Sequence, residues 1–230
     1  MQIKGLQKLT LLDFPERTAC TVFTGGCNFC CPFCHNASLV LRPAEVTGIH
    51  EEEFFRFLSK RQGILDGVAI TGGEPLLQPD LPDFIQKIRA LGFQIKLDTN
   101  GSFPGRLKTL VADGLVDYVA MDIKNSPIRY GETVGVKNFD LSPILESVEF
   151  LLSGTVDYEF RTTVVRELHS DEDFVRIGAW IGGAKRYFLQ QFIDSGDLIQ
   201  SGYSACSDAQ MEQFRQIVAR TVPSAQLRGT

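Results

Sequence analysis

Thr18-Ala19-Cys20-Thr21-Val22-Phe23-Thr24-Gly25-Gly26-Cys27-Asn28-Phe29-Cys30-Cys31-Pro32-Phe33-Cys34 begins as a strand and ends as a loop crowded with thiols. The β-branched and aromatic run from Thr18 to Thr24 predicts a strand, and Gly25-Gly26 closes it. Of the six cysteines, Cys20, Cys27, Cys30, Cys31, Cys34 and Cys206, four fall within eight residues. A disulfide framework distributes its cysteines to staple distant loops, so this crowding points to a metal or redox centre.

Outward from this stretch, strand-like and helix-like segments alternate. Glu52 to Gln62 has Phe54, Phe55 and Leu58 at helical spacing, and Gly67 to Thr71 is a short buried strand closed by Gly72-Gly73. Asp83 to Leu91 is helical, with Gly92 as its stop. Phe93 to Asp98, Val116 to Asp122, Tyr158 to Val165 and Arg186 to Phe192 read as strands. Leu107 to Ala112, Ile144 to Leu152, Asp173 to Ile181 and Ser207 to Arg220 read as the helices that follow them. Six strand–helix units predict an α/β fold with a parallel sheet. Polar groups gather at strand ends, at Gly72-Gly73-Glu74, Asp98-Thr99-Asn100, Asp122 with Lys124, and Gln190-Gln191. That placement favours an incomplete (β/α)6 TIM-like barrel, whose active site collects at the C-terminal rim. Residues 1–17 read as a short N-terminal hairpin, and 1–230 as a single domain.

The composition is that of a globular protein with a sizeable core, 43% hydrophobic and 22% charged. A formal charge of −5 supplies no basic footprint for nucleic acid. Apolar runs are too short to span a bilayer, and the N-terminus lacks the pattern of a signal peptide. The expected setting is the reducing cytoplasm, with neither nucleic acid nor membrane as partner.

Three readings fit the thiols. Cys27-x-x-Cys30 with Cys31-x-x-Cys34 has zinc-like pairing, but zinc pairs are usually separated by about a dozen residues and these abut. Cys31-Pro32-Phe33-Cys34 has the spacing of a thiol–disulfide motif, which needs no third cysteine. Cys27, Cys31 and Cys34 offer three thiolates to a [4Fe–4S] cluster and leave its fourth iron to a non-protein ligand. In that reading Cys30 is the odd one out, and Cys20 and Cys206 are structural thiols.

The Cys-x-x-x-Cys-x-aromatic-Cys loop, followed by Gly72-Gly73-Glu74-Pro75, resembles the radical S-adenosylmethionine superfamily. Cys34-His35-Asn36, Asp98-Thr99-Asn100-Gly101 and Asp122-Ile123-Lys124 resemble the activating enzymes of glycyl-radical enzymes. Gly5-Leu6-Gln7-Lys8, Asp13-Phe14-Pro15 and Phe188-Leu189-Gln190-Gln191-Phe192 look closest to the anaerobic ribonucleoside-triphosphate reductase activating branch. That branch is similar to pyruvate formate-lyase activating enzyme, and the resemblance covers nearly the whole chain.

The resemblance implies that Cys27, Cys31 and Cys34 hold a cluster whose open iron is chelated by S-adenosylmethionine. Reductive cleavage would then yield methionine and a 5′-deoxyadenosyl radical, the cofactor doing the difficult chemistry. It places Phe33 near the adenine, and His35 and Asn36 at the border of cluster and cofactor, with His35 outside the metal set. Gly72, Gly73 and Glu74 would receive the methionyl amino group. Asp98, Thr99 and Asp122 would hold a monovalent cation against the cofactor carboxylate, or Lys124 would bind that carboxylate directly. Arg161 matches an arginine that reaches the cofactor. Gln190-Gln191-Phe192-Ile193 stands where pyruvate formate-lyase activating enzyme has a histidine, and no cysteines for a second cluster are present.

The expected activity is hydrogen abstraction from a backbone glycine of a partner glycyl-radical enzyme, with anaerobic ribonucleotide reductase first in line. The electron donor would be of the flavodoxin or ferredoxin type. A radical enzyme acting on a small molecule, such as a 7-carboxy-7-deazaguanine synthase, is the second reading. A non-catalytic iron–sulfur or redox module is the third.

Overall fold

A computed structural model describes residues 1–229. One sheet holds eight strands in sequence order. They are β1 (Ile3–Thr10), β2 (Ala19–Thr24), β3 (Gly67–Gly72), β4 (Gln94–Thr99), β5 (Tyr118–Asp122), β6 (Asp157–Val164), β7 (Tyr187–Gln191) and β8 (Ala225–Arg228). The helices are α1 (Ala37–Leu41), α2 (Glu51–Ser59), α3 (Leu81–Ala90), α4 (Pro104–Ala112), α5 (Tyr130–Val134), α6 (Ser142–Leu152), α7 (Asp171–Trp180) and α8 (Asp208–Ala219). The α/β alternation is borne out. The N-terminal hairpin is present, but its second strand is β2, beyond residue 17. Short α1, α5 and β8 had no periodic signal, because four or five residues are too few to display one.

The chain forms two compact units. The first comprises Met1–Asn28, Ser38–Thr99 and Gly105–Val119, and the second Phe29–Ala37, Asn100–Pro104 and Ala120–Thr230. In the first unit β1 pairs antiparallel with β2, while β2, β3 and β4 are parallel. Val22, Val68, Ile70, Ile95 and Leu97 of these strands are fully buried. Phe54 and Leu58 of α2, and Phe84, Ile85 and Ile88 of α3, supply the helical side of that core. The Phe54 and Phe84 rings lie 5.3 Å apart. Burying each such side chain contributes about 1.5–3 kcal/mol before the entropy cost of ordering it.

In the second unit β6, β7 and β8 are parallel. Phe160 and Leu189 lie in its core, and Phe174 of α7 stacks on Phe214 of α8 with centroids 4.4 Å apart. Ser170–Asp173 and Ser207–Gln210 form capping boxes at the starts of α7 and α8. Each satisfies amide groups that a helix start otherwise leaves unpaired. Ser207 is therefore the cap of the last helix and not its first turn.

Candidate functional site

The cysteine loop leaves β2 through Gly25-Gly26, and in the first unit this exit is clamped by the segment that follows β3. The Gly73 N–H donates to the Thr24 carbonyl (3.0 Å) and the Glu74 N–H to the Gly26 carbonyl (2.8 Å). Gln78 Nε2 donates to the Gly25 carbonyl at 2.8 Å. A Cβ on Gly73 would lie 1.9 Å from the Gly26 oxygen, and one on Gly72, where φ is +115°, 2.4 Å from Thr24 N and O. These glycines permit two backbones to touch immediately before Cys27.

Glu74 is completely buried. Its carboxylate accepts from the Leu76 N–H (3.0 Å) and the Thr99 hydroxyl (2.9 Å). On β4 Asp98 is ion-paired with Lys96, two residues back on the same face of the strand. Lys96 is itself buried, so this is an interior pair and not a solvated charge.

In the second unit the remainder of the loop is held from two sides. The Cys30 N–H donates to the Val134 carbonyl (2.9 Å), and Phe29 packs edge-on against Phe139 with centroids 5.6 Å apart. Gly135 adopts φ +66° beneath this contact, where a Cβ would meet the Cys30 oxygen at 2.4 Å. From the segment after β7, the Gln200 N–H donates to the Pro32 carbonyl (2.9 Å), and the Asp197 carbonyl accepts from the Ala37 N–H (3.3 Å). Cys34 turns back tightly, its N–H donating to the Cys31 carbonyl at 3.0 Å.

All six cysteines are free thiols. Cys31 and Phe33 are buried, Cys27 and Cys34 half-buried, and Cys30 exposed. Burial pushes the Cys20 thiol up to about 12, so it stays protonated. Burial also raises Cys34, against an opposing pull from the Asn36 backbone and the Lys124 charge. Burial and the nearby Lys124 charge hold His35 below its ordinary value, which keeps it neutral.

Asp122 closes β5 and takes two cations within the second unit. Lys124 Nζ donates to its Oδ2 at 2.9 Å, and Arg161 Nε and Nη2 both reach Oδ1 at 3.0 Å. Burial alone would raise the Asp122 carboxyl, but Arg161 and Lys124 outweigh it and hold it well below the carboxylate range. Burial would likewise lower Lys124, and Asp122 outweighs it, so the ammonium persists. Arg161 is thus no solvated strand arginine. One net positive charge remains on the three groups, and Lys124 interacts electrostatically with Cys31 and Cys34.

Asp122→Asn leaves two like charges facing each other. It is expected to cost about 1–3 kcal/mol, discounted for partial exposure of the pair. Urea denaturation checks this, and an unchanged midpoint would mean that the three groups are not coupled. The native Asp122 carboxyl is depressed, so its contribution is complete above the unfolded carboxylate range and fades only as pH falls below it.

Residues 21–181 match the Radical SAM superfamily. The chain belongs to that superfamily. A Methanocaldococcus jannaschii protein provisionally named a glycyl-radical enzyme activating enzyme is 31% identical over 83% of this chain and 79% of its own length. A Pyrobaculum aerophilum protein named a probable GTP 3′,8-cyclase is 27% identical over 80% of this chain and 58% of its own. The 7-carboxy-7-deazaguanine synthase of Koribacter versatilis is 29% identical over 62% of this chain and 59% of its own. The chain thus spans under two thirds of these last two relatives. Streptococcus suis SuiB, crystallised with its precursor peptide SuiA, superposes over 91% of this chain and 48% of its own with a TM-score of 0.70. At 12% identity that likeness concerns the fold alone, which is the partial-barrel fold expected from the strand–helix alternation.

Superfamily membership implies a [4Fe–4S] cluster and S-adenosylmethionine. The donors fit in chemistry: three thiols on one short loop suit iron–sulfur ligation, and a lysine cation beside two of them favours thiolates. Among the described residues no three His, Cys, Asp or Glu side chains are gathered into a metal-holding group. Also among the described residues, no helix is long and apolar enough to cross a membrane. The loop clamps at Glu74, Gln78, Val134, Phe139, Asp197 and Gln200 were not legible in the sequence. Only the glycines of Gly72-Gly73 signalled a close approach.

Proposed function

We propose that this radical SAM enzyme activates a glycyl-radical enzyme, removing hydrogen from a backbone glycine of that partner. The relative from Methanocaldococcus jannaschii supports this most, because it aligns over 83% of this chain and 79% of its own length. In this reading Cys27, Cys31 and Cys34 hold the cluster. A [4Fe–4S] cluster supplies, when bound, the electron that cleaves S-adenosylmethionine. Phe33 and Asn36 flank the cofactor, and the backbone of Gly72-Gly73-Glu74 receives its amino end, the Glu74 carboxylate being held by Leu76 and Thr99. Lys124 binds the carboxylate, with Arg161 and Asp122 holding Lys124 in place; the charge left over on that trio favours an anion. A monovalent cation at Asp98, Thr99 and Asp122 is the alternative, and would have to compete with Lys96 and Lys124 for the two aspartates.

We read residues 1–230 as one domain, with each compact unit drawing on several separate segments of the chain. The partner is anaerobic ribonucleotide reductase, the electron donor a flavodoxin or ferredoxin, and the setting the anaerobic cytoplasm. The second reading, a small-molecule substrate, is favoured by the names of the other two relatives.

Dithionite-reduced, cluster-loaded protein is mixed with S-adenosylmethionine and a candidate glycyl-radical enzyme. Electron paramagnetic resonance should then show a glycine-centred radical on the partner. A short peptide copying the glycine site should react less well, because ordering a free segment costs binding energy. If no partner acquires a radical while a small purine-like or pterin-like substrate turns over, the second reading replaces the first.

A further inference from the structure

The stretch Asp122-Ile123-Lys124 runs out of the end of β5, where ladder hydrogen bonds cease and each peptide group needs another partner. In the second unit these partners are buried side chains. The Tyr130 hydroxyl donates to the Asp122 carbonyl at 3.3 Å, and the Lys124 N–H faces the same hydroxyl. Ile123 is pinned by the Arg161 carbonyl (2.7 Å from its N–H) and the Thr162 hydroxyl (2.7 Å from its carbonyl). The Lys124 carbonyl lies 3.0 Å from His169 Nε2. Nδ1 lies 3.1 Å from both the N–H and the carbonyl of Val165, whereas Nε2 faces only the Lys124 carbonyl. In a neutral ring both nitrogens are therefore satisfied when Nε2 carries the hydrogen and Nδ1 accepts from the Val165 N–H. Burial holds His169 below its ordinary value, which keeps this neutral tautomer at physiological pH. Tyr130 is wholly buried, stacked on Phe139 at 5.5 Å and edge-on to Trp180 at 6.0 Å.

We propose that Tyr130 and His169 are positioning residues that fix the backbone of Lys124 from its two sides and so aim its ammonium at an anionic ligand. This rests on Lys124 binding the cofactor carboxylate. Neither residue touches the ligand. Each removes a way for the Lys124 peptide to rotate, so the ammonium does not have to be ordered when the ligand arrives. Residue 125 is tied down separately, its side-chain amide donating to the Thr133 hydroxyl (2.8 Å) and the Leu168 carbonyl (2.9 Å). The rotation at issue is thereby confined to Lys124.

The test uses cluster-reconstituted protein and compares S-adenosylmethionine with its decarboxylated analogue, which lacks the group Lys124 would bind. Tyr130→Phe and His169→Leu should each weaken S-adenosylmethionine binding about five- to tenfold, the loss from one buried hydrogen bond. Affinity for the decarboxylated analogue and iron content should not change. His169→Gln, which restores a donor near Nε2, should recover most of the loss. Neither variant should weaken binding further in a Lys124→Met background.

Equal weakening of both ligands, or losses that add to Lys124→Met, would mean that the two residues serve only general stability. If Lys124→Met itself binds both ligands like the parent, the assignment of Lys124 fails and this proposal fails with it. If Lys124→Met loses S-adenosylmethionine selectively while the other variants do not, the proposal alone falls. Should His169→Leu misfold, Tyr130→Phe decides, because it keeps the packed ring.

Discussion

Cys31→Ala protein, reconstituted anaerobically, should retain almost none of the roughly four irons per chain that one [4Fe–4S] centre requires. Cys27→Ala and Cys34→Ala should behave alike, because a cluster held by only two thiolates exchanges readily with solvent and chelators. Cys30→Ala should keep full iron content. Its side chain is exposed, and its contribution to the loop is the backbone donation to Val134, which alanine preserves. Cys20→Ala should also retain iron, since its thiol is buried in β2 and stays protonated. Because thiols must lose protons to bind iron, assembly should be faster as pH rises toward the thiol range, most visibly for the raised thiol of Cys34. Iron loss from Cys30→Ala with retention in Cys31→Ala would overturn the ligand assignment.

Gly73→Val is expected to be the most damaging single change outside the cysteines. From the sequence, its cost is a filled space that the cofactor's methionyl end should occupy. The structure supplies an earlier collision, since even a Cβ at residue 73 would sit 1.9 Å from the Gly26 oxygen. The substitution must push the cysteine loop away just before Cys27 and break the Glu74 N–H to Gly26 contact. Overpacking of this kind costs about 1–3 kcal/mol, and more where backbone must move. Both melting temperature and iron content should therefore fall. Gly92→Ala is the control: φ there is +90° with nothing within 4 Å of a Cβ, so only local strain applies and iron should be retained. If Gly73→Val keeps its iron and loses only cofactor binding, the clamp is not what this glycine provides.

The sequence by itself determined the class of fold and the chemistry of the donors. Hydrophobic spacing is a property of short windows, so α2, α3, α7 and α8 were legible to within a few residues, whereas α1, α5 and β8 were too short to show a period. Three thiols at fixed spacing are equally local, and so is a pair of glycines at a strand end. What the polar residues do was decided by tertiary structure. Glu74 reads as a carboxylate available to a ligand, yet it is buried against Leu76 and Thr99. Arg161 shows in the sequence only as a match to an arginine that reaches a cofactor; that it grips Asp122, 39 residues away, came from the fold. His169 and Tyr130 carried no signal at all, and one of them reaches Lys124 across 45 residues of chain. A buried polar group must be paired wherever the fold brings a partner, and that partner is chosen by three-dimensional proximity, which no local pattern encodes.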